Sequence, residues 1–558
     1  MDPDAGAGAV AAPLTGTATG ALEARTTAGA RHRAPGPRPH DRLRTAWVTG
    51  VPAFAILLGA VARLRQWTGD RSLWLDEVLI ADNIVHRGFA ALASEPLLHS
   101  QAAPTLWLWL ERLSVDVFGP DERALRLVPL LAGLATMVLT WRLAARVVPA
   151  VLVPVAVVLV ALQPSLIYYS NEVKQYSSDV AVVLVVVLLA IAVPPRAADG
   201  RALRRLALCG VVAVWLSHAA VLALAGVSLV LVLRPLLARD VRQAARTGLL
   251  LSPWLLSLAA SSVTVLRPLL HNEPLIDYWH GTFPTSAADL PAWFGRRWYD
   301  LASTPLRMTV PLLGLALLTF GLGRLSRFVG RRAALLWAGV PMALVAAGLS
   351  AYPFAGRLAL WLVPIAAVTL AATLPHRLDR RRVGWLLAGS AALTFSLGPA
   401  VAEAVTLTGK VQTVEELHPV LERLAKAHQP GDLVFVEVAA RSAYDYYAKQ
   451  TGVHRDGVIL FLPRPGAAPC DDRPALRAGR FATSRVWVVT SHLFVDTGRL
   501  GTREDLLARV RTVSREVQHL GEPGADAFLF DPVGGPEAPV QTVPRNPERC
   551  LTVVLSNP

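Results

Sequence analysis

Long apolar stretches separated by short Arg-rich segments dominate the first four hundred residues. They fall near 47–64, 124–145, 148–166, 178–194, 203–217, 219–233, 247–265, 309–323, 333–351, 358–374 and 383–403, which predicts about eleven membrane-spanning helices. Between 203 and 233 the pattern admits one long helix or two short ones. After about 404 the period changes: short β-branched runs alternate with helical patterns. Strands are predicted over 432–438, 457–462, 485–490, 527–531 and 551–555, and helices over 415–428, 442–450 and 503–517. The fold class is therefore a polytopic α-helical membrane protein carrying a C-terminal α/β domain. Residues 1–45, rich in Ala, Gly, Thr, Pro and Arg, have no apolar run and are expected to be a disordered tail. The helical domain is placed at 46–405 and the α/β domain at 410–558. The first apolar segment is read as an uncleaved anchor.

Composition supports this division. Of 558 residues 53% are hydrophobic and 17% charged, with a mean hydropathy of +0.42, too apolar for an ordinary soluble protein. The net charge of +14 lies wholly before residue 410, where 37 basic residues face 23 acidic ones; beyond it 18 face 18. Arg clusters mark the tail and every second loop: Arg142 and Arg146; Arg196 to Arg205; Arg234 to Arg246; Arg324 to Arg332; Arg377 to Arg382. This is a topology signal and excludes a nucleic-acid footprint. It predicts a cytoplasmic N-terminus, two short helices within 203–233 if the alternation is to be kept, and an extracytoplasmic face that holds 65–123, 168–177, 266–307, 352–357 and the C-terminal domain. The three cysteines form no zinc pattern. Cys470 and Cys550, both in the external part, are expected to pair, although spacing alone does not decide it.

Candidate chemistry gathers in the external loops. Ser72-Leu73-Trp74-Leu75-Asp76-Glu77 sets two adjacent carboxylates just past the first span. Either Asp76 caps a short helix from Glu77 to His86, or the pair serves a site, since acids at a membrane boundary are costly unless compensated. The same loop contains 104–118, apolar with Glu111, Arg112 and Asp116 interleaved, the pattern of a helix lying in the interface. The second external loop, 168–179, is densely polar; in a helix Glu172, Gln175 and Tyr176 would share a face. No phosphate loop or nucleophile elbow occurs in the C-terminal domain, which is read as structural or as an acceptor-docking element.

Taken in order, LWLDE (73–77), QAAPTLWLWLERL (101–113), FGPDERALRLVPLLAG (118–133), EVKQYSSD (172–179), IDYWHGTFP (276–284) and YPFAGRLALWLVP (352–364) resemble membrane glycosyltransferases of the GT-C class, in particular the family 39-like group. That group includes protein O-mannosyltransferases and aminoarabinose-lipid A transferases. One departure is Ala102-Ala103-Pro104, where many members have His-Pro-Pro.

The resemblance implies an inverting, mannosyltransferase-like enzyme using a polyprenyl-phosphate sugar at the outer face of the cytoplasmic membrane. Its acceptor would be a lipid, glycan or protein of the cell envelope; its partners are membrane lipids and no nucleic acid. Such chemistry requires a base for the acceptor hydroxyl and cations for the leaving phosphate. Asp76 is the expected base, with Glu77 binding sugar hydroxyls or holding Asp76. Lys174 and Arg357 are the expected phosphate clamps, and Gln101, Glu172, Gln175, Tyr176 and Asp179 the sugar or acceptor contacts. Tyr278 and Trp279 fit an aromatic belt or sugar stacking, and His218 a satisfied buried histidine. Whether a divalent cation serves as cofactor is open. A multi-pass transporter of lipid-linked sugars is the alternative, although no internal symmetry of the transporter kind is visible. A structural partner in an envelope complex is a third.

Overall fold

A computed structural model describes residue 43 and residues 45–194, 200–262, 272–377, 379–463, 470–492, 503–533 and 549–556. The expected tail, 1–45, lies almost entirely outside these residues, as does part of the span expected at 247–265.

The helical part begins with α1 (Val51–Trp67), continued upstream by a π-helical turn from Ala46. The first loop carries α2 (Leu75–His86) and α3 (Thr105–Phe118). Next come α4 (Leu127–Val147), α5 (Val153–Ala161), α6 (Pro164–Tyr169), α7 (Tyr176–Ile191), α8 (Gly200–Leu216) and α9 (His218–Leu237). Further on lie α10 (Leu290–Ser303), α11 (Pro311–Val329), α12 (Val363–Ala371) and α13 (Arg380–Thr406). Among the described residues five helical stretches are long and apolar enough to cross a membrane: Ala46–Trp67, Leu127–Val147, His218–Leu237, Pro311–Gly348 and Arg382–Thr406. Ala150–Ala161, Tyr176–Ile191 and Gly356–Ala371 are apolar but shorter, and the expected count of about eleven spans is not confirmed among the described residues. Several spans read from the sequence are broken. At Ser217 the backbone turns extended and its hydroxyl accepts Ala220 N–H, so 203–233 is two helices.

α3 shows a two-sided apolar pattern. Trp107, Leu108 and Val115 are buried, while Trp109, Leu110, Leu113, Val117 and Phe118 are exposed, as expected for a helix lying along a bilayer surface.

The C-terminal part forms a six-stranded sheet in the order β4-β5-β3-β1-β2-β6. It runs through α14 (Leu417–Ala427), β1 (Leu433–Glu437), α15 (Arg441–Thr451), β2 (Gly457–Pro463), α16 (Arg473–Ala478) and β3 (Val486–Ser491). α17 (Arg503–Val510), β4 (Ser514–Glu522), β5 (Ala525–Pro532) and β6 (Arg549–Leu555) follow. β1, β2 and β3 are parallel; β4, β5 and β6 pair antiparallel. The helix expected to run to Val517 stops at Val510, and β4 replaces its end. β4 was hidden because it is an edge strand whose residues are mostly exposed and polar. Its partner is reached through a two-residue turn, Pro523-Gly524, with Gly524 at φ +72°. A Cβ on Gly524 would also come within 2.2 Å of the Val414 carbonyl.

The sheet and the first loop share one core. Val434, Val436, Trp487, Val489, Tyr444 and Tyr447 pack in one cluster with Leu73, Val78, Ile80, Trp107 and Val173. The described residues from Thr45 onward accordingly form one compact unit.

Cys470 and Cys550 form a disulfide with Cα atoms 5.2 Å apart, tying the lead into α16 to β6 across 80 residues of chain. Cys550→Ser is expected to destabilise the sheet by roughly 4 kcal/mol on the loop-entropy account. Urea unfolding of the purified protein checks this, and a reductant should bring the wild type to the same midpoint. An unchanged midpoint would show the bridge to be dispensable.

Candidate functional site at the first two external loops

α2 starts at Leu75 with Trp74 as its N-cap, so Asp76 lies within the first turn and does not cap the helix. The Trp74 N–H is taken by the Glu77 carboxylate at 3.3 Å. The helix-cap reading of Asp76 is therefore corrected: Glu77 caps, and Asp76 is released to point elsewhere. Asp76 Oδ2 meets Arg357 Nη1 at 2.6 Å, both side chains about one-fifth exposed. Burial pushes the Asp76 carboxyl up, but Lys174 and Arg357 together outweigh it and hold the group below the usual carboxylate range.

Glu77 is a hub. It is fully buried and accepts Arg126 Nε at 2.9 Å, Arg126 Nη2 at 2.6 Å and the Val173 N–H at 2.9 Å. Arg126 also donates to the Arg71 and Ser72 carbonyls at 2.7 and 3.0 Å. Arg71 in turn donates to the Asn171 carbonyl and lies over the Tyr168 ring, 5.4 Å from its centroid. The first loop, the start of α4 and the second loop are thus tied at one carboxylate. Burial raises the Glu77 carboxyl, and Arg126 and Arg71 more than reverse this. Glu77 has no face left for sugar hydroxyls, so of its two expected roles the geometry favours holding Asp76.

The second loop brings Lys174 Nζ to Gln101 Oε1 at 2.7 Å. Gln101 follows His99 and Ser100, two consecutive non-glycine residues with positive φ, a strained lead-in of the kind that persists only where the surroundings enforce it. Glu172 is fully buried, and neither of its carboxylate oxygens has a hydrogen-bond partner among the described residues; the Gln175 side-chain amide oxygen, Oε1, also lacks one. Burial, with Glu77 adding repulsion, pushes the Glu172 carboxyl up; burial pulls the Lys174 ammonium down against the attraction of Asp76. Tyr176 lies beneath Arg357, whose guanidinium carbon is 5.5 Å from its ring centroid.

Arg357 is set by a turn at Gly356, φ +43°, whose N–H donates to Asp300 of α10 at 2.7 Å. The chain continues into α12, whose Val363, Ala367 and Leu370 line a small cleft with Leu159, Gln163, Leu306, Met308, Leu397 and Val401. Apart from Gln163 this lining is apolar.

Asp76, Glu77, Gln101, Glu172, Lys174, Gln175, Tyr176 and Arg357 are thus brought together. Asp179 is not with them: its partner is Ser217, at the break between α8 and α9. Tyr278 is largely exposed and stacks edge-on with Trp279. His218 is half-buried, and its buried Nε2 lacks a partner among the described residues, unlike the satisfied histidine expected. Among the described residues no three His, Cys, Asp or Glu side chains converge as a metal site. Sequence reading missed Arg71, Arg126 and Asp300, and also Glu415, Glu416 and Tyr447, which reach the same loop from the C-terminal part. Arg126 lies inside one of the motifs quoted above; the others carried no local signal.

No family model and no curated protein matches the chain. Among solved structures it is similar to ArnT from Cupriavidus metallidurans in the apo state, at 15% identity, covering 87% of this chain and 98% of that one with a TM-score of 0.47. The same protein bound to undecaprenyl phosphate matches at 15% identity over 88% and 100%, TM-score 0.46. The archaeal oligosaccharyltransferase AglB from Archaeoglobus fulgidus, in complex with an inhibitory peptide and a dolichol-phosphate, matches at 12% identity over 87% and 74%, TM-score 0.46.

Proposed function

We propose that this protein is an inverting glycosyltransferase that moves a hexosyl or pentosyl group, mannosyl-like, from a polyprenyl phosphate to a cell-envelope acceptor at the outer face of the cytoplasmic membrane. The observation that carries the reading is an ionised carboxylate, Asp76, held by Arg357 beside Lys174. Base and phosphate-binding cations lie side by side.

In the reaction Asp76 takes the proton of the acceptor hydroxyl as its oxygen attacks the sugar's anomeric carbon. A new C–O bond forms with inversion, the bond to phosphate breaks, and its electron pair leaves on the polyprenyl phosphate. Arg357 and Lys174 stabilise that charge. Glu172 and Gln175, with buried acceptor atoms lacking partners, suit sugar hydroxyls. In the unliganded protein Arg357 is taken by Asp76, so the arriving phosphate must draw it away. Donor binding then frees the base it needs.

The test is transfer from polyprenyl-phosphate-linked sugars by purified protein in liposomes. Arg357→Ala and Lys174→Ala should raise the donor KM and lower kcat. Losing a hydrogen bond to a charged group is worth roughly 1.5–3 kcal/mol, so about ten- to hundredfold in donor affinity is expected for each. Labelled lipid crossing the bilayer without any transfer would establish the transporter instead.

A further inference from the structure

The C-terminal part reaches back over three hundred residues to the chain just before Asp76. The Ser72 N–H donates to Glu416 Oε2 at 3.0 Å, and the Ser72 hydroxyl to the same oxygen at 3.1 Å. The Leu73 N–H donates to the Tyr447 hydroxyl at 2.7 Å, and the Leu75 N–H to Glu415 Oε2 at 3.3 Å. Only the Trp74 N–H is served from within the loop, by Glu77. Of the four peptide N–H groups from Ser72 to Leu75, three are thus met by the C-terminal part.

The acceptors are themselves fixed. Tyr447 donates to Glu122 at 3.0 Å and stacks on His418, 4.5 Å between centroids. The His418 N–H donates to Ser72 Oγ at 3.1 Å, and the Glu416 N–H to the Pro523 carbonyl of the β4–β5 turn at 2.8 Å. Glu415 is hydrogen-bonded to His492 at the end of β3. Upstream, Gln66 at the end of α1 donates to the Leu407 and Lys410 carbonyls at 2.9 and 2.7 Å and accepts the Gln412 N–H at 2.8 Å. The connector 407–418 therefore lies along 66–75 like a splint.

We infer that the C-terminal domain is a positioning device for the base, with Glu415, Glu416 and Tyr447 as positioning residues that fix the backbone carrying Asp76. The inference rests on Asp76 being the base, as proposed above. A carboxylate displaced by about 1 Å can cost a hundredfold in rate, so a domain that holds three of the four preceding peptide groups acts on kcat and leaves the donor site, built on Lys174 and Arg357, alone.

Two readouts on the full-length protein in liposomes test this. Amide hydrogen exchange across 72–75 should quicken about tenfold or more in Glu416→Ala and, at Leu73, in the milder Tyr447→Phe, with α4 unchanged. With a polyprenyl-phosphate-linked sugar, kcat should fall about ten- to hundredfold in both while the donor KM stays within twofold, and Glu416→Gln, which keeps an acceptor oxygen, should recover most of it. Faster exchange with unaltered kcat would make the contacts merely structural, and unaltered exchange would remove the splint itself; either overturns the inference. A wild type that transfers nothing defeats the proposed function, yet the exchange measurement still decides whether the splint exists.

Discussion

Asp76→Asn is expected to lower transfer by roughly a hundred- to ten-thousandfold, the range for a lost general base, while polyprenyl phosphate binds more tightly than to the wild type. The opposite signs follow from the 2.6 Å pair with Arg357. An asparagine cannot take the proton, and it also ceases to compete with phosphate for the guanidinium. Simple relief of repulsion would tighten binding too, so a double-mutant cycle separates the causes. If exchange of Arg357 is responsible, Asp76→Asn gains nothing in an Arg357→Ala background; if repulsion is, the gain persists. The pH profile carries the same signature. In the free protein Lys174 and Arg357 hold the Asp76 carboxyl low, and the acid limb of kcat/KM for the donor reports that state. Once phosphate shares Arg357 and adds its own negative charge, the carboxyl rises, so the acid limb of kcat should lie at higher pH. Near-normal turnover in Asp76→Asn would end its assignment as base, whatever the binding data show.

The parts of this architecture that depend on local pattern were readable in the chain. Six of the apolar runs fall within the five helical stretches long enough to span among the described residues, the break at Ser217 was required by the alternation of Arg clusters, and five of the six strands follow β-branched runs. The pairing of Asp76 with Arg357 was anticipated only as membership in one site: burial cost marks a carboxylate and a cation as needing compensation but does not say that they compensate each other. What stayed hidden depends on distance along the chain. Glu77 and Arg126 are separated by 49 positions, Ser72 and Glu416 by 344, and neither pairing has a periodic signature. Asp179 shows the converse. Its place in a polar run suggested the site, yet one helical turn beyond Tyr176 it meets Ser217 instead. Two cysteines in one compartment suggested a bridge, and only the sheet brings them within reach.

The second large effect concerns the hub beneath the site. Arg126→Ala leaves Glu77 fully buried with its strongest partner gone, and breaking a buried ion pair from one side costs about 3–5 kcal/mol. For a chain of this size that corresponds to a fall of roughly 3–4 °C in the unfolding midpoint, measured by thermal unfolding in detergent. Replacing both residues with leucine is often neutral for a buried pair, but not here. Val173 N–H and Trp74 N–H would lose Glu77, and the Arg71 and Ser72 carbonyls would lose Arg126. Each orphaned buried group costs about 1–3 kcal/mol, so the double variant should remain destabilised. Arg126→Lys keeps the charge but not the two-pronged contact, and should fall between. Because the same carboxylate joins the first loop to Val173, one residue before Lys174, loss of the hub should separate base from phosphate clamp and lower kcat even where folded protein is recovered. An Arg126→Ala variant with wild-type midpoint and turnover would show that the two loops are held by their shared apolar core alone.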